Sequence, residues 1–243
     1  MKFEDMINNV ILGDCYEVIK DIPDKSIDCI YVDVPYLYSS GYHKHQNNCN
    51  VGINQEFVDS LQDIINGIDY SIYDEFIRIS KKGNIFIWLS REQILDTLNY
   101  FTNKGFSFEI LTWHKTNPQP LARNSWLSDT EYCLYFRKKG VLLNDGFELK
   151  QKYYVSSLNQ SDKEKFNHPT IKPLNLVERH IKHTTQENDI VLDCFCGSGT
   201  TCVACKNTNR RYIGIEKNPK WYKVAVDRLN NVQADGQITM FTN

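Results

Sequence analysis

The sequence IVLDCFCGSGTTCVACKNTNRRYIGIE, residues 190–216, places a glycine-rich turn and a helical segment between two short apolar runs. The runs 190–193 and 211–215 are rich in β-branched residues, as is typical of buried strands. The segment 199–207 between them predicts a helix, and a further helix is predicted over 219–229. Strand, helix and strand in this order predict parallel strands joined by a helix.

The same alternation continues towards the amino terminus. Further strands are predicted at 26–32, 84–89, 106–113 and 131–137, and further helices at 57–80, 91–103 and 173–186. We therefore expect an α/β fold with a mostly parallel sheet and helices on both faces. Two polar segments without periodicity, 37–56 and 140–167, are predicted to be loops or small insertions, and long loops within a domain are often functional.

Length and composition are typical of one α/β domain. The chain has 243 residues, of which 41% are hydrophobic, and this is enough for a single core over 1–243. No run reaches the roughly 18 apolar residues that span a bilayer, and the acidic start at 1–5 lacks the apolar core of a signal peptide. We expect a cytoplasmic protein that has no membrane partner and whose eight cysteines are mostly buried, reduced thiols.

Charge is unevenly distributed although the net charge is only −2. Residues 1–111 contain 9 basic and 17 acidic side chains, residues 112–183 contain 12 and 7, and residues 184–243 contain 7 and 6. The middle third is therefore the part expected to face phosphate groups, although an excess of this size also arises by chance on a solvated surface.

The turn at 193–199 has the pattern Asp-x-Phe-x-Gly-x-Gly between a strand and a helix. Glycines permit a tight turn and a close approach of the backbone to a ligand. Glu216 ends the next strand, where a carboxylate can bind the two hydroxyls of a ribose. The pattern alone fits a dinucleotide as well as other ribose-containing cofactors.

Two more motifs precede this turn: Asp33-Val34-Pro35-Tyr36, and His168 to Pro173 with the sequence HPTIKP. The three motifs in this order resemble the β-class amino-methyltransferases of DNA, a circularly permuted branch of the S-adenosylmethionine enzymes. The resemblance covers roughly residues 10–230. It implies a Rossmann-like methyltransferase fold with a seven-stranded sheet, S-adenosylmethionine as cofactor and no metal.

The resemblance also implies which residues bind the cofactor. Glu216 is expected to bind the ribose hydroxyls, Asp14 to lie near the adenine ring, and Thr170 with Lys172 to hold the methionine carboxylate. The glycine turn is expected to shape the methionine and ribose pocket through Asp193, Phe195, Gly197, Gly199 and Thr200.

At the other end of the site, methylation of an exocyclic amine requires alignment and hydrogen-bond acceptors rather than a nucleophile. In the family that the chain resembles, the first motif residue accepts one amino N–H and the next accepts another through its carbonyl. These positions are Asp33 and Val34, followed by Pro35. Tyr36 is expected to stack on a base flipped out of the duplex.

Val34 departs from the family, which has proline at this position. Its carbonyl remains an acceptor, and a residue before Pro35 favours extended backbone, but the fixed φ angle of proline is lost and an N–H is gained. This departure leaves open a catalytically weak DNA-binding homologue. Methylation at cytosine C5 is excluded because that reaction uses a cysteine after proline, and the chain has no Pro-Cys dipeptide.

The segments 113–120, 123–124 and 129–132 are similar to compact adenine methyltransferases of restriction-modification systems. Lysines are expected to contact phosphates of double-stranded DNA and polar side chains to read bases. Both polar segments, 37–56 and 140–167, are therefore assigned to DNA recognition. The candidate contacts are His43, Lys44, Lys115, Arg123, Lys150 and Lys152. A homodimer and a cognate restriction endonuclease are open as partners.

Asp33 favours adenine N6 as the target, because serine is frequent at this position in the cytosine N4 enzymes. Cytosine N4 methylation is the alternative within the same mechanism. An RNA base or a protein amide would use similar acceptors, but in those families the glycine turn usually precedes the acceptor motif.

Overall fold

The computed structural model describes residues 1–37, 66–118, 126–158 and 171–231. Within these ranges eight strands form one sheet. The strands are β1 (Asn9–Leu12), β2 (Cys29–Asp33), β3 (Asn84–Leu89), β4 (Ser107–Lys115), β5 (Thr130–Arg137), β6 (Tyr153–Ser156), β7 (Ile190–Asp193) and β8 (Arg211–Glu216). The helices are α1 (Phe3–Met6), α2 (Cys15–Val18), α3 (Ile72–Ile79), α4 (Ile94–Thr102), α5 (Leu174–Thr184), α6 (Thr200–Asn207) and α7 (Pro219–Asn230), with short 3-10 turns at Ile19–Asp21 and Arg91–Gln93.

The strands follow the order β1-β8-β7-β2-β3-β5-β4-β6 across the sheet. The first five are parallel to one another, and β5 pairs antiparallel with both β3 and β4. The edge strand β6 is parallel to β4. Seven of the eight strands therefore point the same way, which confirms a mostly parallel sheet.

Side chains of the central strands alternate between two buried cores. In β2, Ile30 and Val32 lie in one core with α3 and α4, whereas Cys29 and Tyr31 lie in the other with α5 and α6. This follows from the period of two along a strand, which sends successive side chains to opposite faces. Both faces are covered by helices, and this explains why the central strands β2, β3 and β7 are almost entirely apolar.

Local sequence patterns predict six strands and the family resemblance implies seven, whereas the sheet of the described residues has eight. Two of its strands were not predicted from the sequence. Strand β1 is only four residues long, and β6 falls inside 140–167, which was predicted to be a loop. The side chains of β6 are alternately exposed and partly buried, because this edge strand packs on one neighbour only. The other polar segment lies almost entirely outside the described residues.

Seven of the eight cysteines are described, and all seven are buried and free, including Cys202 and Cys205 one turn apart in α6. The described ranges contain no cluster of His, Cys, Asp or Glu that could hold a metal ion. In the same ranges, every helix is too short or too polar to cross a membrane.

Strand order brings the two distant motifs together. Strands β2 and β7 are neighbours in the sheet. The chain leaves β7 through α6 towards β8 on one side, and it leaves β2 through α3 towards β3 on the other. In open α/β sheets, ligands bind in the crevice at the carboxyl ends of strands where the strand order diverges in this way. Asp33 and Asp193 end these two strands.

Candidate active site

The glycine turn after β7 has the backbone geometry that its sequence predicts. Gly197 and Gly199 have φ angles of +50° and +79°, which side-chain-bearing residues rarely adopt. A Cβ atom on Gly199 would also lie 2.9 Å from Cβ of Ala225 in α7. The turn therefore packs directly against α7, and its conformation depends on glycine at these positions.

The Glu216 carboxylate fixes this turn from the end of β8. Its Oε2 accepts a hydrogen bond from the Gly197 N–H at 2.8 Å, and its Oε1 accepts one from the Asn218 N–H at 2.7 Å. Asp14 lies close by, since the backbone of Gly13 pairs with that of Glu216. The Asp14 side chain caps α2 and forms an ion pair with Lys217 at 3.2 Å. The predicted cofactor residues at the ends of β1, β8 and β7, or just after them, therefore meet at the carboxyl ends of these three neighbouring strands.

Arg228 in α7 is a part of this region that sequence reasoning missed. It is only 8% exposed, and its guanidinium donates to the Ser198 carbonyl at 2.7 Å and to the Thr200 hydroxyl at 3.2 Å. Thr200, a predicted cofactor residue, is buried and hydrogen-bonded to this arginine. A buried arginine between turn and helix makes the turn rigid.

The Asp193 carboxyl group is buried at the bottom of the turn. Burial raises its pKa to about 7, against the effect of hydrogen bonds from the Thr201 side chain and the Phe195 N–H. The Phe195 N–H donates to Oδ1 at 3.1 Å. Proton loss by this group is therefore disfavoured until a cation or a further donor approaches it.

Asp33, at the end of β2, contacts a buried lysine. The Lys172 ammonium donates to Asp33 Oδ2 at 2.6 Å and is 7% exposed. The other oxygen, Oδ1, is buried and accepts no hydrogen bond within the described part of the chain. Leaving a buried acceptor unpaired is costly, so this atom is suited to a donor brought by a ligand.

The loop after Asp33 is held by two buried side chains of the β3–α4 connection. Gln93 donates to the Pro35 carbonyl at 3.1 Å and accepts from the Leu37 N–H at 3.2 Å. The Ser90 hydroxyl donates to the Leu37 carbonyl at 2.9 Å. These contacts fix the backbone on both sides of Tyr36, and they were not predicted from the sequence.

The N–H that Val34 adds relative to proline is used in the structure. It donates to the Trp88 carbonyl in β3 at 3.1 Å, and the Val34 side chain is 2% exposed in the core. The bond extends the β2–β3 pairing by one residue beyond Asp33. Val34 is therefore a structural part of the sheet rather than a neutral exchange for proline.

A Val34→Pro variant is expected to be less stable than the wild type by about 1–3 kcal/mol, because the buried Trp88 carbonyl loses its donor. Urea unfolding followed by circular dichroism measures this difference. Val34→Ala, which keeps the N–H, is the companion variant that reports the packing contribution alone. Equal stability of Val34→Pro and the wild type would show that this hydrogen bond contributes nothing.

A family model identifies the family of this chain. The N6/N4 DNA methylase family model matches residues 27–227. This range includes the acceptor motif, the lysine, the glycine turn and Glu216. The chain belongs to this family.

Named relatives extend the likeness beyond the family model. The type II methyltransferase M2.LlaDCHI of Lactococcus lactis subsp. cremoris is 32% identical over 243 residues, which cover 91% of this chain and 90% of the relative. The type II methyltransferase M2.DpnII of Streptococcus pneumoniae is 31% identical, with the same coverage of both chains. The protein is thus a DNA methyltransferase of the restriction-modification type.

Solved structures agree with the fold. The M1.HpyAVI–SAM complex has a TM-score of 0.65 and 29% identity, covering 90% of this chain and 98% of the other. PvuII DNA methyltransferase, described as cytosine-N4-specific, has a TM-score of 0.67 at 18% identity, covering 93% and 88%. The second likeness concerns the fold alone.

The predicted DNA contacts of the methylase are only partly described. His43, Lys44 and Arg123 lie outside the described residues, as does the cofactor candidate Thr170. Lys150 and Lys152 are exposed and form surface ion pairs with Asp145 and Glu109, which contribute little and leave both lysines accessible. Lys115 differs, because it is 15% exposed and pairs with Glu131 Oε1 at 2.7 Å.

Lys172 of the methylase lies beside Asp33 rather than beside the glycine turn. It was predicted to hold the methionine carboxylate together with Thr170, but its ammonium is bonded to Asp33 and to Glu131. Glu131 had no predicted role. A glutamate near the start of the mostly apolar strand TEYCLYFR was the available signal, because a buried acidic side chain needs a partner.

Proposed function

We propose that this methylase transfers a methyl group to the N6 amino group of adenine in DNA, with S-adenosylmethionine as the donor. The observation that carries the proposal is the position of Asp33 beside the glycine turn. Asp33 ends β2, and the glycine turn follows the neighbouring strand β7. The buried Asp33 Oδ1 has no donor among the described residues. An exocyclic amino group supplies such a donor.

The residues at the cofactor end fit S-adenosylmethionine. The acidic side chains of Asp14, Asp193 and Glu216 suit a ligand with a sulfonium, an ammonium and a ribose diol. When bound, this cofactor supplies a methyl group that is already activated for attack by a nitrogen. Phe195, Gly197 and Gly199 would line the pocket beside these carboxylates. Lys172 is engaged by Asp33, so we assign the methionine carboxylate to other donors.

The residues of the acceptor motif align the target amine. Asp33 Oδ1 accepts one amino N–H and the Val34 carbonyl accepts the other, which orients the nitrogen lone pair for direct transfer without a covalent enzyme intermediate. Tyr36 stacks on the flipped base, an interaction that contributes roughly 1–3 kcal/mol. This offsets the few kcal/mol that base flipping costs.

Adenine is preferred over cytosine because the first motif residue is Asp33. DNA recognition is assigned to 37–56 and 140–167, and the edge strand β6 lies within the second of these. We infer that residues 1–243 form one domain. A second copy of this chain and a cognate restriction endonuclease are its candidate protein partners.

Identification of the methylated nucleoside tests the proposal. Purified protein is incubated with mixed-sequence double-stranded DNA and methyl-labelled S-adenosylmethionine, and the digested nucleosides are separated by mass spectrometry. Label in N6-methyldeoxyadenosine is the expected result, whereas label in N4-methyldeoxycytidine would overturn the choice of base. Absence of label, with cofactor binding shown by calorimetry, would instead favour a catalytically weak homologue.

A further inference from the structure

Four side chains of alternating charge form a chain of ion pairs beside the acceptor motif. They are Asp33, Lys172, Glu131 and Lys115. Lys172 Nζ lies 2.6 Å from Asp33 Oδ2 and 2.9 Å from Glu131 Oε2, and Lys115 Nζ lies 2.7 Å from Glu131 Oε1. Three different strands and the segment before α5 contribute one residue each, so the cluster forms only in the folded protein.

Lys172 is the most buried of the four side chains. The Asp33 side chain is 28% exposed, that of Glu131 is 17% exposed, and that of Lys172 is 7% exposed. The Lys172 ammonium also lies 5.2 Å from the Trp88 ring and 5.4 Å from the Tyr36 ring. A lysine buried in this way needs both carboxylates, because an unpaired buried charge is costly.

We propose that Lys172 is a positioning residue for the methyl-transfer reaction. Glu131, which also pairs with Lys115, modulates the effect of Lys172 on Asp33. This inference rests on the acceptor role of Asp33 in the proposed function. It goes beyond that function by giving roles to a lysine expected at the cofactor and to a glutamate and a lysine outside the motifs.

The geometry gives Lys172 two effects on the acceptor. It occupies Asp33 Oδ2, which leaves Oδ1 as the oxygen that can accept the amine. It also donates to the Tyr36 hydroxyl at 3.2 Å, and that hydroxyl donates to Glu131 Oε2 at 3.3 Å. The acceptor oxygen and the stacking ring are therefore held by the same ammonium.

Charge state is the second consequence of the cluster. Burial raises the pKa of Asp33, Lys172 lowers it and Glu131 raises it. Glu131 itself has a pKa of about 2, because the two lysines outweigh the effect of burial. Asp33 is a stronger acceptor of an amino N–H as a carboxylate than as the neutral acid. Removal of Lys172 should raise the pKa of Asp33, and removal of the Glu131 charge should lower it.

Other ionisable groups face the cluster and remain in every variant used to test it. They are Tyr31 and Tyr36 on β2 and the loop that follows it, Cys133 on β5, and Asp193 on β7.

The experiment is a titration of the Asp33 carboxyl carbon by carbon-13 NMR in the cofactor-free and DNA-free protein, assigned by its absence in Asp33→Asn. We expect Lys172→Met to raise the Asp33 pKa by about 1–3 units and Glu131→Gln to lower it. Lys172→Arg keeps the cation and should leave the pKa near its wild-type value. Lys182→Met, which changes an exposed lysine of α5, is the matched control and should change nothing.

Binding and turnover complete the test. Lys172→Met should bind S-adenosylmethionine within about threefold of the wild type while its turnover at pH 7 falls by about tenfold or more. Shifts of the same sign in Lys172→Met and Glu131→Gln, or no shift in either, would overturn the inference. A cofactor dissociation constant raised about tenfold or more in Lys172→Met would return this lysine to the methionine carboxylate. Failure of the proposed function is separate, since it would appear as normal turnover in Asp33→Asn.

Discussion

An Asp33→Asn variant is expected to lose methyl transfer by about 10²–10³-fold, the usual effect of removing one positioned hydrogen-bond partner from an active site. Asparagine keeps the size of aspartate, but its neutral amide is a weaker acceptor and brings donors of its own. Either orientation of that amide disturbs the pairing, because the buried Lys172 ammonium is also a donor. Turnover with labelled cofactor and duplex DNA measures the loss.

Cofactor binding by Asp33→Asn should stay near the wild-type value, since the glycine turn and Glu216 are unchanged. Calorimetry with S-adenosylmethionine provides this second readout. Asp96→Asn, which alters an exposed residue of α4, controls for the change of net charge. Wild-type turnover in Asp33→Asn would mean that another group accepts the amino N–H.

Replacing Glu216 by alanine is expected to weaken S-adenosylmethionine binding by about 10–100-fold before it affects chemistry. The carboxylate now accepts from the Gly197 and Asn218 N–H groups, and hydrogen bonds to a charged group contribute about 1.5–3 kcal/mol each. Its loss removes the support of the turn and, in the proposed site, the acceptor for the ribose hydroxyls. Turnover at saturating cofactor should be much less affected than the dissociation constant.

The matched control for Glu216 is Glu4→Ala, an exposed glutamate in α1. Thermal unfolding of both variants separates a binding defect from a folding defect. If Glu216→Ala folded normally and bound S-adenosylmethionine as tightly as the wild type, this carboxylate would have a role in the turn but none in the cofactor pocket.

Most of the fold follows from local sequence patterns. The strands β3 and β7 have the predicted boundaries, and the helices α5, α6 and α7 agree with prediction to within two residues at each end. The two strands are apolar and bounded by turn residues, whereas α5 and α7 repeat apolar residues at helical spacing. Asn218 with Pro219 marks the start of α7 by a side-chain cap. Strand β6 escaped prediction because half of its side chains face solvent.

The contacts that set the charge state of the Asp33 carboxyl group could not be predicted from the sequence. Lys172 and Glu131 are separated along the chain, and nothing in the residues around either one identifies the other as its partner. The motif resemblance placed this lysine at the cofactor, whereas the structure pairs it with Asp33. The pairing depends on where β5 begins and where the segment before α5 crosses the sheet, and no local sequence pattern specifies this arrangement.

Arg228 and Gln93 illustrate the same limit. Each is a polar residue in an amphipathic or irregular segment, where exposed side chains are the usual outcome. Both are instead buried and bonded to backbone atoms of the two motif loops. Long-range side-chain to backbone bonds have no sequence period, so only the folded structure reveals them.

The adjacency of β2 and β7 also affects the timing of synthesis. Strand β2 emerges from the ribosome early and gains β3 as a neighbour soon afterwards, but β7 is encoded about 160 residues later. At typical elongation rates the second edge of β2 stays unpaired for roughly 8–30 s. An apolar strand with one open edge invites wrong pairing with another chain. We therefore expect the nascent protein to pass through an aggregation-prone interval and to act on DNA only after translation has delivered the strand that completes the crevice.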